Sequence, residues 1–230
     1  MKEVYILQIE TATPDCSVAV SKNGVCIAEI SGASPNMHAS HLTVFVDEVL
    51  AQAGISKAML AAVAVSMGPG SYTGLRIGVS AAKGLCYALD IPLLAINTLD
   101  AMLAGFIGQG QTVVGADSRL LPMIDARRME VYTAVYDQQG NVLAPTEAKI
   151  VDETSFGTTG DFILFGSGAD KFVPLFEGQE HIRIVTEFHN AAGHFSANAY
   201  QKFEAGLFED LIYFEPFYLK DFMVSTPKKR

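Results

Sequence analysis

The chain has 230 residues, 50% of them hydrophobic and 18% charged, enough apolar material to bury a sizeable core in one or two domains. Its formal net charge of −9 argues against a chain that grips nucleic-acid phosphates by itself. No apolar run reaches the roughly 18 residues of a membrane span.

The start, Met1-Lys-Glu-Val-Tyr-Ile-Leu-Gln-Ile-Glu10, meets an acid too early for a signal peptide and reads as a first strand over Val4–Glu10. Cys16–Ser21 alternates, Lys22-Asn-Gly24 turns, and Val25–Ser31 returns, so the chain opens with antiparallel pairing. Ser34-Pro-Asn-Met then precedes a helix in which Leu42, Phe45, Val46, Val49, Leu50 and Ala53 recur at helical spacing, ended by Gly54. The three cysteines, Cys16, Cys26 and Cys86, have no CxxC spacing and fit reduced, buried thiols in the cytoplasm.

The apolar run Leu60–Val65 leads into Met67-Gly-Pro-Gly-Ser-Tyr-Thr-Gly-Leu-Arg-Ile-Gly78, a sharp turn between a buried strand and a helix over Leu75–Leu89. Ser71 and Thr73 are both suitable N-caps there. Such a terminus attracts anions, because unpaired N–H groups and the helix dipole point the same way. The plainer reading is that Gly68 and Gly70 only make the turn and Ser71 only caps the helix. The pattern is neither a nucleotide P-loop nor a dinucleotide fingerprint. Gly74, Gly78 and Ala82 recur every four residues, and Ser80 and Gly84 form a second pair. Glycine costs a helix roughly 1 kcal/mol against alanine, so another backbone is expected to pack closely here, within the fold or from a partner.

Ile91–Ile96 reads as a strand, and Gly105, Gly108 and Gly110 interrupt the pattern at 104–111, where a lobe boundary is expected. A second pass of similar shape follows: Leu121–Asp125, Glu130–Tyr136, the turn Gln138-Gln-Gly-Asn141 and Val142–Leu143. Each pass has a hydrophobic strand ending in an acid, Glu10 or Asp125, and this suggests an internal duplication. Phe162–Phe165 reads as a strand before Gly166-Ser-Gly168, and 190–204 as a helix. Leu211–Leu219 is mixed, and Lys228-Lys229-Arg230 forms a basic tail.

The glycine motif, Ile9-Glu-Thr-Ala-Thr13 with Cys16-Ser-Val-Ala-Val20, Ile124-Asp-Ala-Arg127 and Glu215-Pro-Phe-Tyr-Leu219 together resemble the TsaB (YeaZ) family of bacterial tRNA threonylcarbamoyladenosine biosynthesis proteins, in order and spacing from about residue 1 to 220. The resemblance implies an α/β fold of two actin-like (ribonuclease-H-like) lobes, mixed sheets flanked by helices. Residues 1–106 would form the first lobe and 107–230 the second, its last segment packing back on the first.

It further implies an accessory, non-catalytic subunit in N6-threonylcarbamoylation of tRNA adenosine 37. Such a chain stabilises a metal-bearing TsaD-like paralogue, works with a TsaE-like ATPase, meets tRNA only indirectly and forms a homodimer when alone. The expected partner surface comprises Leu42, Phe45 and Val49 of one helix with Gly74, Arg76, Gly78 and Ala82 of the next. Arg76 and Lys83 could instead pair with acids.

Glu10, Thr11, Gly68, Gly70 and Ser71 are the candidate nucleotide contacts. No cofactor is expected to be held tightly by the chain alone, while ATP or ADP is possible in the complex. Where the paralogue's segment reads Asn-His-Leu-Glu-Gly-His, this chain has Asn97-Thr-Leu-Asp-Ala-Met102, so Thr98 and Met102 replace two metal-binding histidines and no metal is expected. His38 and His41, and His189 and His194, are read as packing or capping residues. The alternatives are an actin-like small-molecule kinase, which would need tight ATP binding, and a glycoprotein endopeptidase-like hydrolase, for which no HExxH or nucleophile–base pair is present.

Overall fold

The computed structural model describes residues 3–32, 37–110 and 117–220. The Ser34-Pro-Asn36 lead-in to the first helix, the 111–116 stretch and the basic tail lie outside the described residues.

The first sheet holds β1 (Tyr5–Glu10), β2 (Cys16–Lys22), β3 (Val25–Gly32), β4 (Leu60–Gly68) and β5 (Leu93–Asn97), in the spatial order β3-β2-β1-β4-β5. The second holds β6 (Ser118–Asp125), β7 (Glu130–Tyr136), β8 (Val142–Ile150), β9 (Asp161–Phe165) and β10 (Ile182–Val185), in the order β8-β7-β6-β9-β10. Three antiparallel strands followed by two parallel ones give each sheet the same topology. The duplication expected from the sequence is present in the fold, which is that of two actin-like lobes.

Strand alternation in β1 sends Tyr5, Leu7 and Ile9 to one face and Ile6, Gln8 and Glu10 to the other. The first face packs against α1 (Met37–Ala53) and α2 (Tyr72–Leu89). Leu42, Phe45, Val46, Val49 and Leu50 of α1 are all buried in this layer. Each such side chain contributes about 1.5–3 kcal/mol by leaving water, so α1 is held by its apolar stripe rather than by propensity. Gly54 takes φ +69° and ends the helix, as expected.

α3 (Thr98–Gly108) lies between the lobes. Its Ala101 joins the cluster on the opposite face of the first sheet, while Leu99, Met102, Leu103 and Phe106 pack with the second. Phe106 stacks on Phe165, with ring centroids 4.1 Å apart. Gly105 is thus inside a continuous helix, which ends at Gly108. A Cβ on Gly105 would come within 2.3 Å of the His194 ring, so this glycine makes room for a residue far along the chain.

After the second sheet the chain returns to the first lobe. A single turn, Ala192–Phe195, leads into α4 (Ser196–Glu204), shorter than the helix expected from 190. Ala192, Phe195 and Ala199 cover Ile6, Ala19, Ala64 and Leu94. Residues 207–220 then run along α2. Lys83 Nζ donates to the carbonyls of Ile212 (3.3 Å) and Phe214 (3.1 Å), and the Phe217 N–H donates to Met67 O (2.7 Å). The segment ends at Lys220, ion-paired with Glu130 in the second lobe.

Candidate functional site

The carboxyl end of β1 and the glycine turn meet at one point. Glu10 is fully buried; its Oε1 accepts from the Ala12 N–H (2.6 Å) and the Ser66 hydroxyl (2.9 Å). Its Oε2 has no hydrogen-bond partner, and neither has the side-chain amide of Asn190, which lies near enough to temper the charge. Burial outweighs these interactions and pushes the carboxyl up to about 7. Thr11 is also buried, under α2. A Cβ on Gly74 would stand 2.0 Å from the Thr11 carbonyl oxygen, and one on Gly78 2.1 Å from the Thr11 hydroxyl.

The turn is held by hydrogen bonds within the lobe. Ser71 N–H donates to Ala12 O (2.7 Å), Leu75 N–H to Ser71 O (2.8 Å), and Gly74 N–H to Ser71 Oγ (3.3 Å). Ser71 is therefore the N-cap, and Thr73, the other candidate, is the second residue of the helix. Gly68, at φ +112°, faces the Phe217 carbonyl, 2.6 Å from where a Cβ would be; Gly70 similarly faces Ala12 O at 2.4 Å. Of the five candidate nucleotide contacts, Glu10, Thr11 and Gly68 are buried, Gly70 is half-buried, and only Ser71 is exposed. The N–H groups of Gly68, Ser71 and Gly74 already have acceptors within the chain, which leaves a phosphate fewer donors at this helix start.

Thr98 and Met102 are buried and put to structural use. The Thr98 hydroxyl accepts from the Gly68 N–H (3.1 Å), tying α3 to the glycine turn, and Met102 packs in the core between the lobes. Asn97, not read as a cap in the sequence, accepts from the Leu99 N–H (2.8 Å). The histidines take separate roles: His38 contacts the carbonyls of Thr13 and Asp15, His41 packs on Phe45, His189 faces Asp15, and His194 fills the gap at Gly105. Among the described residues no group of three His, Cys, Asp or Glu side chains is placed to hold a metal ion. Asp125, the counterpart of Glu10, is exposed and paired with Lys171 at 2.5 Å.

The expected partner surface needs correction. Leu42, Phe45, Val49, Gly74, Gly78 and Ala82 are buried in the first lobe's own layer, because the apolar stripes of α1 and α2 face the sheet. Only Arg76 of that set is exposed, stacked over Tyr72 at 5.0 Å. The outward side of α2 presents Thr73, Ser80, Gly84, Tyr87 and Ala88, with Tyr87 85% exposed. A Cβ on Gly84 would meet nothing within 4 Å. The sequence signal for this face was the Ser80–Gly84 pair, overshadowed by the longer Gly74-Gly78-Ala82 series.

Residues 26–159 match the family model of TsaD, tRNA N6-adenosine threonylcarbamoyltransferase. The tRNA threonylcarbamoyladenosine biosynthesis protein TsaB of Escherichia coli K12 is 35% identical over 170 residues, covering 71% of each chain. Its Haemophilus influenzae counterpart is 36% identical over 134 residues, spanning 57% of this chain and 53% of the other. YeaZ from Pseudomonas aeruginosa superposes with a TM-score of 0.76 at 26% identity, covering 94% of this chain and 100% of that one. With two like-ordered sheets, the glycine turn seated on the end of β1 and this extent of likeness, the chain belongs to the TsaB family.

Proposed function

We propose that this chain serves tRNA threonylcarbamoyladenosine biosynthesis as a non-catalytic accessory subunit that binds and stabilises a TsaD-like, metal-bearing transferase. The observation that carries the reading is Gly84. Gly74 and Gly78 are explained by Thr11 inside the lobe, but Gly84 lies on an exposed helix surface with open space around it. A glycine there weakens the helix by roughly 1 kcal/mol with no internal return, and it lets a second helix approach to backbone contact.

Thr73, Ser80 and Ala88 extend the same close-approach strip, and Val44 on α1 adds exposed apolar surface. The same face closes a homodimer when the chain is alone. Nucleotide enters only in the assembled complex, where a TsaE-like ATPase acts, and tRNA is held mainly by the other subunits. Thr98 and Met102, where the resemblance places the transferase's histidines, support a supporting rather than a catalytic role. No helix of the described residues is long and apolar enough to cross a membrane, in keeping with a chain that works beside tRNA in the cytoplasm.

The test is reconstitution. Modified-adenosine yield is measured with synthase, transferase, ATPase and tRNA, with this chain, without it, and with Gly84→Trp. Yield that depends on the chain and falls with Gly84→Trp, together with weakened transferase binding, is expected. Yield independent of the chain would overturn the reading.

A further inference from the structure

The turn joining β6 to β7 carries two adjacent arginines in an unusual backbone state. Arg127 has φ +72° and Arg128 φ +51°, and both side chains are exposed. Left-handed conformations are costly for residues with a β-carbon and suit asparagine and glycine best. Another hairpin of the chain, the β2–β3 turn, meets the same demand in that way with Asn23-Gly24, at φ +50° and +81°. Two arginines in the second lobe are therefore not chosen for the turn.

Nor are they chosen for local ion pairs. The two nearest acids are already taken, Asp125 by Lys171 Nζ at 2.5 Å and Glu130 by Lys220. Lys171 also donates to the Glu130 carbonyl (2.7 Å), and Asp125 Oδ1 accepts the Arg127 N–H (3.1 Å), so the loop is pinned through its acids and backbone. Among the described residues neither arginine forms a salt bridge. Two exposed guanidiniums stand without a salt bridge on an anchored turn of a chain whose net charge is −9.

We propose that Arg127 and Arg128 form a direct contact for the sugar-phosphate backbone of RNA, engaged when the chain is part of its complex; this rests on the functional reading above and adds a surface to it. Guanidinium forks match phosphate oxygens, and backbone contacts position a nucleic acid without reading its sequence. Exposed arginines on a turn can reach a phosphate ridge, whereas arginine anchors of protein interfaces sit in desolvated pockets. Two such contacts are too few to retain RNA on an acidic chain alone, so the contact operates only alongside the other subunits.

The experiment compares the native chain with Arg127→Asn/Arg128→Gly, which installs the residues of the β2–β3 turn, and with Arg127→Lys/Arg128→Lys, which keeps the charge. Each is assembled with the transferase, and tRNA affinity is titrated across salt concentrations. The Asn/Gly variant is expected to fold and bind the transferase normally, bind tRNA about tenfold more weakly, and show a salt slope shallower by about two. The Lys/Lys variant should retain most of the affinity. Unchanged affinity and slope in an intact complex would overturn the RNA contact alone. So would loss of transferase binding by the Asn/Gly variant, which would assign the turn to an acidic protein surface. If the native chain fails to join the transferase, the functional reading falls, and this proposal with it.

Discussion

Thr11 and Gly78 are interlocked: the threonine hydroxyl occupies the place where a β-carbon at residue 78 would stand, 2.1 Å away. The contact binds the end of β1 to the second turn of α2, and Gly74 repeats it one turn earlier against the Thr11 carbonyl. The glycine motif is thus a joint within the lobe, and its smallness is an internal requirement.

Gly78→Ala and Gly84→Ala are expected to move stability in opposite directions. The first forces a methyl group onto the buried Thr11 hydroxyl and should cost about 1–3 kcal/mol. The second fills open space on an exposed helix and should stabilise by about 0.4–1 kcal/mol. Urea denaturation of the two variants checks the pair; equal effects would contradict the packing.

Glu10 gives the chain a specific pH dependence. Its folded pKa, about 7, lies above the ordinary 4.5 because burial disfavours the charged form. The folded state therefore holds the proton more tightly than the unfolded chain. The resulting stability is fully present below pH 4.5 and is lost as pH rises through 7. The loss amounts to about 3 kcal/mol. Glu10→Gln should flatten this part of the stability profile and gain on the native chain at pH 8. Parallel profiles would show that the carboxyl is solvated.

Thiol labelling should separate the cysteines. Cys16 and Cys86 are buried, and burial pushes both thiols up to about 11, with the Glu10 charge adding to the effect at Cys16. Cys26, expected from the sequence to be buried, is exposed on β3 at the sheet's edge, its thiol also raised by partial burial and by Glu29. One thiol is expected to react in the native protein, more slowly than free cysteine, and the other two only on unfolding. Two fast thiols would indicate that the first sheet opens.

Lys83→Met should loosen the last described segment. The ammonium holds two carbonyls, at Ile212 and Phe214, and charged hydrogen bonds of this kind are worth about 1.5–3 kcal/mol. Limited chymotrypsin digestion should cleave faster near Tyr213–Phe217 while the lobes stay intact. An unchanged pattern would mean that Leu211 and Phe214, packed on the first core, hold the segment unaided.

Local patterns made most of the architecture legible. The Asn23-Gly24 hairpin, the stripe of α1 and the repeated strand–strand–turn–strand passes all follow from neighbouring residues, and each appears in the fold. The site was legible only in part. Periodicity identified the apolar stripe of α1 but not what it faces, and it faces its own sheet. The glycines at 68, 70 and 105 owe their identity to Phe217, Ala12 and His194, each of them distant in sequence. Glycine marks close approach, but its partner is fixed by tertiary structure.

The course of the chain after β10 has a consequence for how such a molecule arises. Phe195 and Ala199 are encoded after the second sheet, yet they cap the first. A nascent first half would leave Ile6, Ala64 and Leu94 uncovered until nearly the whole chain had been made. Duplicated in its sheets but exchanged in its coverings, the protein is bound to fold as one cooperative unit, and neither half could be shed without stranding the other.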